Sequence, residues 1–378
     1  MLPDLRDRHP LAADVVDQIR DYIGQVTEEP ITFPLSRTPV FISREVAAAL
    51  VRDIQAYFEL MGTPGYQSEA ACWIPEVYRA GDPLAQLPAL SCFDFAIATL
   101  PDGSVAPRLL ECQGFSSLYG VIPWWGELLT TVGGLEGFTP FLSHGSWSDY
   151  LDHLKQVAGD SDLIDVDTAR QTFRTDFWVL RHFAGISVHD LTDGYVDRIN
   201  GQRIFNRTVP LEAELAQMGG TLARYFTGGE RNWVVPPGWF WGCSKRALPH
   251  YSRVGQLVPR TELLTAESLG DWADDGREVV LKPIDGFGGK GVNLAPTAED
   301  MVAALGDGRT WILQDRVHLA PTVLVPTGKR LHLEIRVLCL GRTPAFVLGR
   351  LAETEMLNVG YNKANPWCGM TVGLFPRT

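Results

Sequence analysis

The sequence predicts a mixed α/β protein of two or three lobes. Its 378 residues are 45% hydrophobic and 21% charged, the composition of a globular chain with a large core. Apolar residues recur at helical spacing in several segments and follow strand-like patterns in others. A glycine-rich stretch directly follows one predicted strand, and such glycine density lets the backbone turn sharply and approach a ligand.

Two helices are predicted near the start of the chain. Apolar side chains recur at helical spacing over 11–26 and 44–60, and Ser43 is a suitable N-cap for the second segment. Residues 62–90, rich in Gly, Pro and Ala, are expected to form a connection. Further helices are expected over 148–158, 211–218, 267–272 and 296–305.

Two strands are predicted over 93–98 and 108–112, joined by a Pro-Asp-Gly turn. Their pairing would bring Asp94 and Glu111 together in apolar surroundings, which is costly unless a cation or donor faces them. With the amide of Gln113 these carboxylates form an oxygen-only set, the kind that Mg²⁺ prefers when it also contacts phosphates. The alternative is two exposed acids at strand ends.

The middle of the chain gives weaker signals. Ser116 and Ser117 precede the pair Trp124-Trp125, and small hydroxyls beside aromatics suit either a substrate pocket or the core. Residues 167–205 favour neither helix nor strand throughout. Three further features are a strand end with a polar pair at 204–207, a loop and lobe boundary at 228–242, and a buried helix face carrying Met301, Val302 and Leu305.

The most distinctive stretch is 279–292, Val-Val-Leu-Lys-Pro-Ile-Asp-Gly-Phe-Gly-Gly-Lys-Gly-Val. Its first three residues predict a strand, which Lys282 and Pro283 end. The glycines leave backbone amides open, and Lys282 and Lys290 place ammonium groups beside them, so that the stretch forms a phosphate cradle. The glycines of this cradle are Gly286, Gly288, Gly289 and Gly291.

Other phosphate-binding motifs fit this stretch less well. A Walker A loop needs Ser or Thr after Gly-Lys, which is absent. The pattern G-x-G-x-x-G is present but should open a helix, whereas residues 292–296 alternate like a strand. A kinase loop should be accompanied by His-Arg-Asp and Asp-Phe-Gly, which the chain lacks. What remains is a glycine flap between antiparallel strands, or an ordinary glycine hairpin with solvated lysines.

Two strong strand signals follow the flap. The first, 311–314, runs into a hinge-like segment that can offer backbone groups to an adenine edge and a carboxylate to ribose hydroxyls. Its candidate contacts are Gln314, Asp315 and Val317. The second is 332–340, in which alternation places Glu334 and Arg336 on one face. Its expected partner, 345–351, carries Arg350 near its end.

Composition limits the possible partners and compartments. The net charge of −12 and the pI near 5.2 argue against nucleic acid or an anionic membrane as the main partner. The six cysteines lack zinc spacing and are expected to be reduced and mostly buried. With no signal peptide and no long apolar run recognisable, a soluble cytoplasmic protein is expected. The oligomeric state is not predicted.

These features, taken in order, resemble the ATP-grasp enzymes. The resemblance is carried by Lys245, the step Pro259-Arg260-Thr261, Lys282 before its glycines, the strand 311–314 with its hinge, and Glu334-x-Arg336. The acid strands with Asp94 and Glu111-Cys112-Gln113 precede the nucleotide segment, as in the circularly permuted branch that includes the synthetase domain of glutathionylspermidine synthetase. Gln113 stands where that branch has asparagine, and Cys92 where it often has arginine.

The resemblance implies an ATP-grasp fold with the nucleotide between two lobes. It implies that Lys245 and Lys282 contact ATP phosphates under the flap, and that Asp94, Glu111 and Gln113 hold Mg²⁺. The implied division is 1–90 as a helical substrate-side segment, 91–235 as a central lobe with the metal strands, 236–325 as the nucleotide lobe and 326–378 as a return to the central lobe.

The implied reaction is ATP-dependent ligation of a small-molecule carboxylate to an amine or peptide through an acylphosphate. Arg336, with Arg350, would stabilise the transferring phosphoryl group, and Ser116, Ser117 and Glu334 are weaker candidates for substrate contacts. Two alternatives are a small-molecule phosphotransferase with the same ATP site and an ATP-binding protein without catalysis.

Overall fold

The longest strands of the chain pair in one sheet. The structure is a computed structural model that describes residues 14–115, 117–199, 201–210, 217–274, 277–284, 291–355 and 365–377. Within these ranges the strands are β1 Val40–Phe41, β2 Leu90–Thr99, β3 Val105–Gln113, β4 Phe138–Thr139, β5 Asp162–Asp165, β6 Ser187–Asp190, β7 Arg203–Asn206, β8 Asn232–Trp233, β9 Thr261–Leu263, β10 Val279–Pro283, β11 Trp311–Asp315, β12 Val323–Leu324, β13 Arg330–Leu340, β14 Thr343–Ala352 and β15 Gly369–Pro376.

The helices surround three sheets. They are α1 Val15–Thr27, α2 Arg44–Met61, α3 Pro64–Ala71, α4 Val121–Val132, α5 Trp147–Ala158, α6 Arg174–Ala184, α7 Asp193–Val196, α8 Gly219–Thr227, α9 Trp239–Gly242, α10 Leu248–Tyr251, α11 Ala266–Asp274 and α12 Ala298–Gly306, with 3₁₀ turns at Glu76–Tyr78, Thr168–Arg170 and Lys245–Ala247. This mixed architecture confirms the predicted α/β class.

The central sheet has the order β1-β15-β14-β13-β2-β3, with β12 beside β13 and β4 beside β15. Strands β2, β3, β13 and β14 confirm the strands that the sequence predicted over 93–98, 108–112, 332–340 and 345–351. Alternation sends Phe93 and Phe95 into one core and Leu90 and Cys92 into the other. Asp94 shares the face of Cys92, which places a carboxylate on a largely apolar face.

The second sheet has four parallel strands in the order β6-β5-β7-β8. The chain passes from β5 to β6 on one side and returns to β7 on the other, so the order reverses between β5 and β7. Ligands of open parallel sheets bind outside the carboxyl ends of strands at such a reversal. Sequence patterns indicated the end of β7, at 204–207, but not β5 or β6, which have only four residues each.

The third sheet, β10-β11-β9, carries the predicted phosphate segment. Helices α11 and α12 cover one face, where Leu281 and Leu313 pack against Met301. Lys282 and Gln314 alternate onto the opposite face. The predicted burial of Val302 and Leu305 is wrong, since their side chains are 58% and 37% exposed.

Most predicted helices are confirmed, and two regions differ. Ser43 caps α2 by accepting from the amide of Val46 at 3.3 Å. The connection at 62–90 contains α3, which Thr63 caps and which has little amphipathic pattern. The predicted helix over 211–218 lies largely outside the described residues. The predicted loop at 228–242 contains β8 and α9.

Two further expectations concern the whole chain. All six cysteines are free thiols, and only Cys72 is exposed. In the described ranges every helix is too short or too polar to span a bilayer.

Candidate active site

Charged side chains from three separate parts of the chain form one group, called here the charged cluster. Its members are Asp94, Glu111, Lys245, Lys282, Glu334, Arg336 and Arg350. Strands β2, β3, β13 and β14 of the central sheet supply five of them, and the small sheet and the 245–247 turn supply the lysines. Cations outnumber acids in the cluster, so it is locally positive in a chain of net charge −12.

Asp94 is held by two arginines. The register of β2 and β13 sets Arg336 directly opposite Asp94. Arg336 Nε and Nη2 each donate to an Asp94 oxygen at 2.6 Å, and Arg350 Nη2 donates to Oδ2 at 2.8 Å. Burial acts to raise the pKa of Asp94, but the two guanidiniums outweigh it and hold the pKa below its ordinary value. The carboxylate is therefore a buried, permanently ionised partner of both arginines.

Glu334 is the second carboxylate that contacts Arg350. The two residues lie opposite each other on β13 and β14, and Arg350 Nη2 donates to Glu334 Oε1. Burial raises the pKa of Glu334 to about 7, although the charge of Arg350 opposes the rise. Arg350 Nε is buried and has no hydrogen-bond partner among the described residues. Arg350 therefore retains a donor for a further acceptor.

Glu111 faces the more open side of the cluster. It lies opposite Asp94 in register, and the pairing of β2 and β3 shifts just after Asp94. The Glu111 side chain is 26% exposed, and its Oε2 lies 3.7 Å from Lys245 Nζ. Gln113 Nε2 donates to the other oxygen, Oε1, at 2.7 Å. Glu111 thus brings strand β3 close to Lys245, the first predicted phosphate lysine.

Lys282 links the small sheet to this group. Its Nζ donates to Gln314 Oε1 at 2.6 Å, and Gln314 Nε2 donates to Thr261 Oγ1 at 2.9 Å. Burial lowers the pKa of Lys282 to about 8, while the charge of Glu111 acts to raise it. Since the charge of Glu111 reaches Lys282, the strand before the glycines and the acid strand β3 belong to the same site.

The segments before and after the glycine-rich stretch run antiparallel to each other. Leu281 and Asn293 form an antiparallel bridge with two backbone hydrogen bonds of 2.9 Å. Gly291, just before the return segment, has φ of +77°, which favours glycine. Four predicted phosphate-binding residues and one predicted substrate residue lie outside the described residues: Gly286, Gly288, Gly289, Lys290 and Ser116.

The remaining predicted residues lie at the end of β11 and in the connections that follow β11 and β3. Asp315 ends β11, its amide donates to the carbonyl of Arg260 at 2.9 Å, and Val317 is half-buried two residues later. Ser117 is half-buried in the connection from β3 to α4. The tryptophan pair at 124–125 is buried in the core, which is the alternative that the sequence left open.

One side of the cluster presents side-chain oxygens, the ligand type that magnesium prefers. An ion that also contacts nucleotide phosphates needs only one or two protein ligands, and Glu111 with the Gln113 amide oxygen fits this requirement. Asp94 fits it poorly, because both its oxygens accept from guanidiniums. In the described ranges no group of three or more His, Cys, Asp or Glu side chains forms a metal site.

A second polar group lies where the parallel sheet reverses, at the strand end that the sequence indicated as a polar pair. Arg207 Nη2 lies 3.4 Å from Asp165 Oδ2, and its guanidinium lies over the ring of Phe177 at 5.4 Å. Asn206 Nδ2 and Arg207 Nη1 are buried without a hydrogen-bond partner among the described residues. Asn206 and Arg207 carry no functional motif, and only the strand order shows that Asp165 is their neighbour.

Asp176 of α6 connects the two polar groups. Its carboxylate accepts from the amides of Leu118, Gly120 and Val121 at 2.8–2.9 Å, which fixes the connection between Gln113 and α4. Burial raises the pKa of Asp176, although these amides and the charge of Arg207 oppose the rise. The connection after strand β3 is therefore tied to helix α6 beside the parallel sheet.

No protein-family model and no curated protein sequence matches the chain. A putative gamma-glutamylcysteine synthetase from Methylobacillus flagellatus aligns over 85% of this chain and 87% of its own, with a TM-score of 0.40 and 12% identity. A glutathione synthetase-like effector (GSS30) from Globodera pallida aligns over 97% of both chains, with a TM-score of 0.55 and 11% identity. The chain therefore shares its overall fold with a glutathione synthetase-like protein.

Proposed function

We propose that the protein is an ATP-dependent ligase that joins a carboxylate to an amine. The observation that carries this proposal is that Lys245 and Lys282 lie at Glu111, while Arg336 and Arg350 bind Asp94 on the neighbouring strand. A polyphosphate suits such a site, because its charge offsets that of the cations. The fold shared with a glutathione synthetase-like protein supports a ligase rather than another user of ATP.

The triphosphate would lie between the small sheet and the central sheet. Lys245 and Lys282 would contact its oxygens, and the hinge residues Gln314 to Val317 would hold the adenine. Glu111 and Gln113 would hold magnesium, which supplies further neutralisation of the triphosphate when bound. Gly286 to Gly291 remain the proposed cover of the site, which would exclude water from a reactive intermediate.

The acid substrate would be anchored at the reversal of the parallel sheet. Arg207 and Asn206 offer buried donors there, and an arginine beside a strand end suits a carboxylate. The connection held by Asp176 leads from this group to Gln113. A substrate with two acidic or zwitterionic ends would therefore place one end at Arg207 and the reacting end at the charged cluster.

The reaction would proceed in two displacements. An oxygen of the substrate carboxylate attacks the γ-phosphorus, the bond to the bridging oxygen breaks, and ADP leaves with that oxygen. The amine nitrogen then attacks the acyl carbon, phosphate leaves, and the amine loses a proton to solvent or phosphate. Arg336 and Arg350 would neutralise the charge on the transferring phosphoryl group, which is the main requirement of phosphoryl transfer.

An isotope experiment tests this function. The protein is incubated with Mg²⁺, ATP, pools of ¹⁸O-carboxylate acids and pools of amines, and products are identified by mass spectrometry. We expect ADP, a new amide and one ¹⁸O atom in the released phosphate. A phosphorylated acceptor without amide would instead indicate a phosphotransferase, and ATP binding without ADP formation would indicate a non-catalytic protein.

A pair of lysine variants controls the experiment. Lys282→Met is expected to weaken ATP binding about 10- to 100-fold, because a charge-assisted hydrogen bond contributes roughly 1.5–3 kcal/mol. Lys329→Met removes an exposed lysine that pairs with Glu353 outside the charged cluster and should leave ATP binding unchanged. Equal effects of the two variants would place the phosphate site elsewhere.

A further inference from the structure

Asp94 is more deeply buried than Arg336 and Arg350, the two arginines of the charged cluster that bind it. Its side chain is 1% exposed, whereas those of Arg336 and Arg350 are 12% and 20% exposed. The carboxylate is therefore closed to solvent, while both arginine side chains keep some exposure. This arrangement suits a support for cations better than a ligand for an incoming ion.

The hydrogen bonds of Asp94 leave little room for a metal. Three charge-assisted bonds of 2.6–2.8 Å occupy both oxygens. Magnesium requires near-octahedral geometry and usually retains several waters, which a carboxylate so buried and so occupied cannot accommodate. Glu111, at 26% exposure, meets these requirements without disrupting an arginine pair.

The strand order shows how far the Arg350 side chain must extend to reach Asp94. Arg350 lies on β14 and Asp94 on β2, and β13 runs between them. Neighbouring strands lie about 4.8 Å apart, so the Arg350 side chain reaches across one intervening strand to meet Asp94. Asp94 thus fixes two guanidiniums that start from different strands, and leaves Arg350 Nε without a partner among the described residues.

We propose that Asp94 is a positioning residue that holds Arg336 and Arg350 side by side against the transferred phosphoryl group, and that it does not ligate the metal. The inference rests on the proposed function for the identity of the anion. The pairing itself rests on the sheet register and the three hydrogen bonds.

Metal binding tests the second half of the proposal. Mn²⁺ is titrated into the protein in the presence of a non-hydrolysable ATP analogue and followed by electron paramagnetic resonance. Asp94→Asn should leave the Mn²⁺ dissociation constant within about twofold, whereas Glu111→Gln should raise it about 10- to 100-fold, as loss of a metal-site residue does. A rise in Asp94→Asn equal to that in Glu111→Gln would overturn the proposal.

Steady-state kinetics test whether Asp94 positions the two arginines for catalysis. Asp94→Asn should lower kcat about 100-fold with little change in the KM for ATP, because small misplacements of a group that acts only in the transition state have effects of this size. Asp53→Asn is the matched control, since Asp53 is a buried carboxylate that accepts from Tyr57 and Leu257 and not from an arginine. A raised KM with unchanged kcat in Asp94→Asn would contradict positioning.

Thermal unfolding tests the pairing of Asp94 with Arg336, and this test does not depend on nucleotide binding. Asp94→Asn, Arg336→Lys and the double variant are compared by their unfolding midpoints. The pairing predicts that the double variant is shifted by much less than the sum of the single shifts. Additive shifts would show that Asp94 does not hold Arg336, whereas failure of nucleotide binding alone would remove only the proposed function.

Discussion

Lys282 is a buried lysine whose charge depends on pH close to neutrality. Burial lowers its pKa to about 8, and Gln314, its hydrogen-bond partner, carries no charge that would restore it. Between about pH 8 and the ordinary lysine value, the unfolded chain binds more protons here than the folded chain. This residue therefore makes the free energy of unfolding rise with pH across that window.

The same titration should limit ATP binding at alkaline pH. Affinity for ATP is expected to fall as pH rises above about 8, because deprotonated Lys282 no longer attracts phosphate. The measurement is isothermal titration of ATP between pH 6.5 and 9.5. Lys282→Arg should remove the fall, because an arginine stays charged throughout this range. A pH dependence shared by both proteins would assign the titration to another group.

Individual site residues were predictable where their signal was local. Alternation within one strand placed Glu334 and Arg336 on one face, and a glycine run marked Lys282. The partners of Asp94 were not predictable, because they depend on the register between residues 242 positions apart. Arg207 was missed as a functional residue for the same reason, since only the order of the parallel strands brings Asp165 beside it.

Close packing fixes the end of strand β3 against the segment that carries Lys245. A Cβ atom on Gly114 would lie 2.8 Å from the carbonyl oxygen of Trp239. That carbonyl also accepts from the amide of Cys243, two residues before Lys245. The distance between Glu111 and Lys245 therefore depends on the absence of a side chain at Gly114.

Gly114→Ala should both destabilise the protein and weaken its use of ATP. Overpacking against backbone costs about 1–3 kcal/mol of unfolding free energy, and the displaced strand end moves Glu111 from Lys245. Gly270→Ala is the control, since a Cβ there meets no atom of the described residues within 4 Å apart from its own helix backbone and chain neighbours, and alanine favours the helix α11. Chemical denaturation and ATP titration measure the two effects. An unaffected Gly114→Ala protein would refute this packing.

Helices and strands were predictable where one face was clearly apolar. The helix α12 and the burial of Met301 were predicted correctly, but Val302 and Leu305 were not, because residues 301–305 read Met-Val-Ala-Ala-Leu and offer apolar side chains on every side. The packing of α12 on the small sheet selects Met301 and Ala304. The short parallel strands carried too few residues for a pattern, and α3 is a helix with almost no amphipathic pattern.

Folding of the whole chain brings the residues of the charged cluster together from distant parts of the sequence. Unfolding separates Lys245, Lys282 and Glu111, so an ATP molecule bound at this cluster recognises only the folded state. A ligand of this kind stabilises a protein in proportion to the logarithm of its concentration.

Magnesium and ATP together should therefore raise the unfolding midpoint. At a ligand concentration 100 times the dissociation constant, the gain is about 2.7 kcal/mol. Calorimetry across a series of ATP concentrations is the measurement, with Lys282→Met and Lys329→Met as the sensitive and insensitive variants. A midpoint independent of ATP in the unaltered protein would argue against nucleotide binding at this cluster.

The strand order of the central sheet also determines when its strands can pair while the chain is being synthesised. Strand β2 pairs with β3 next to it in sequence, but its other neighbour, β13, begins at Arg330. At roughly 5–20 residues per second, a separation of 242 residues delays that pairing by about 10–50 s. For that interval the edge of β2 that later receives β13 is unpaired and Asp94 lacks both of its arginines, and an unpaired strand edge of this kind favours association with other chains.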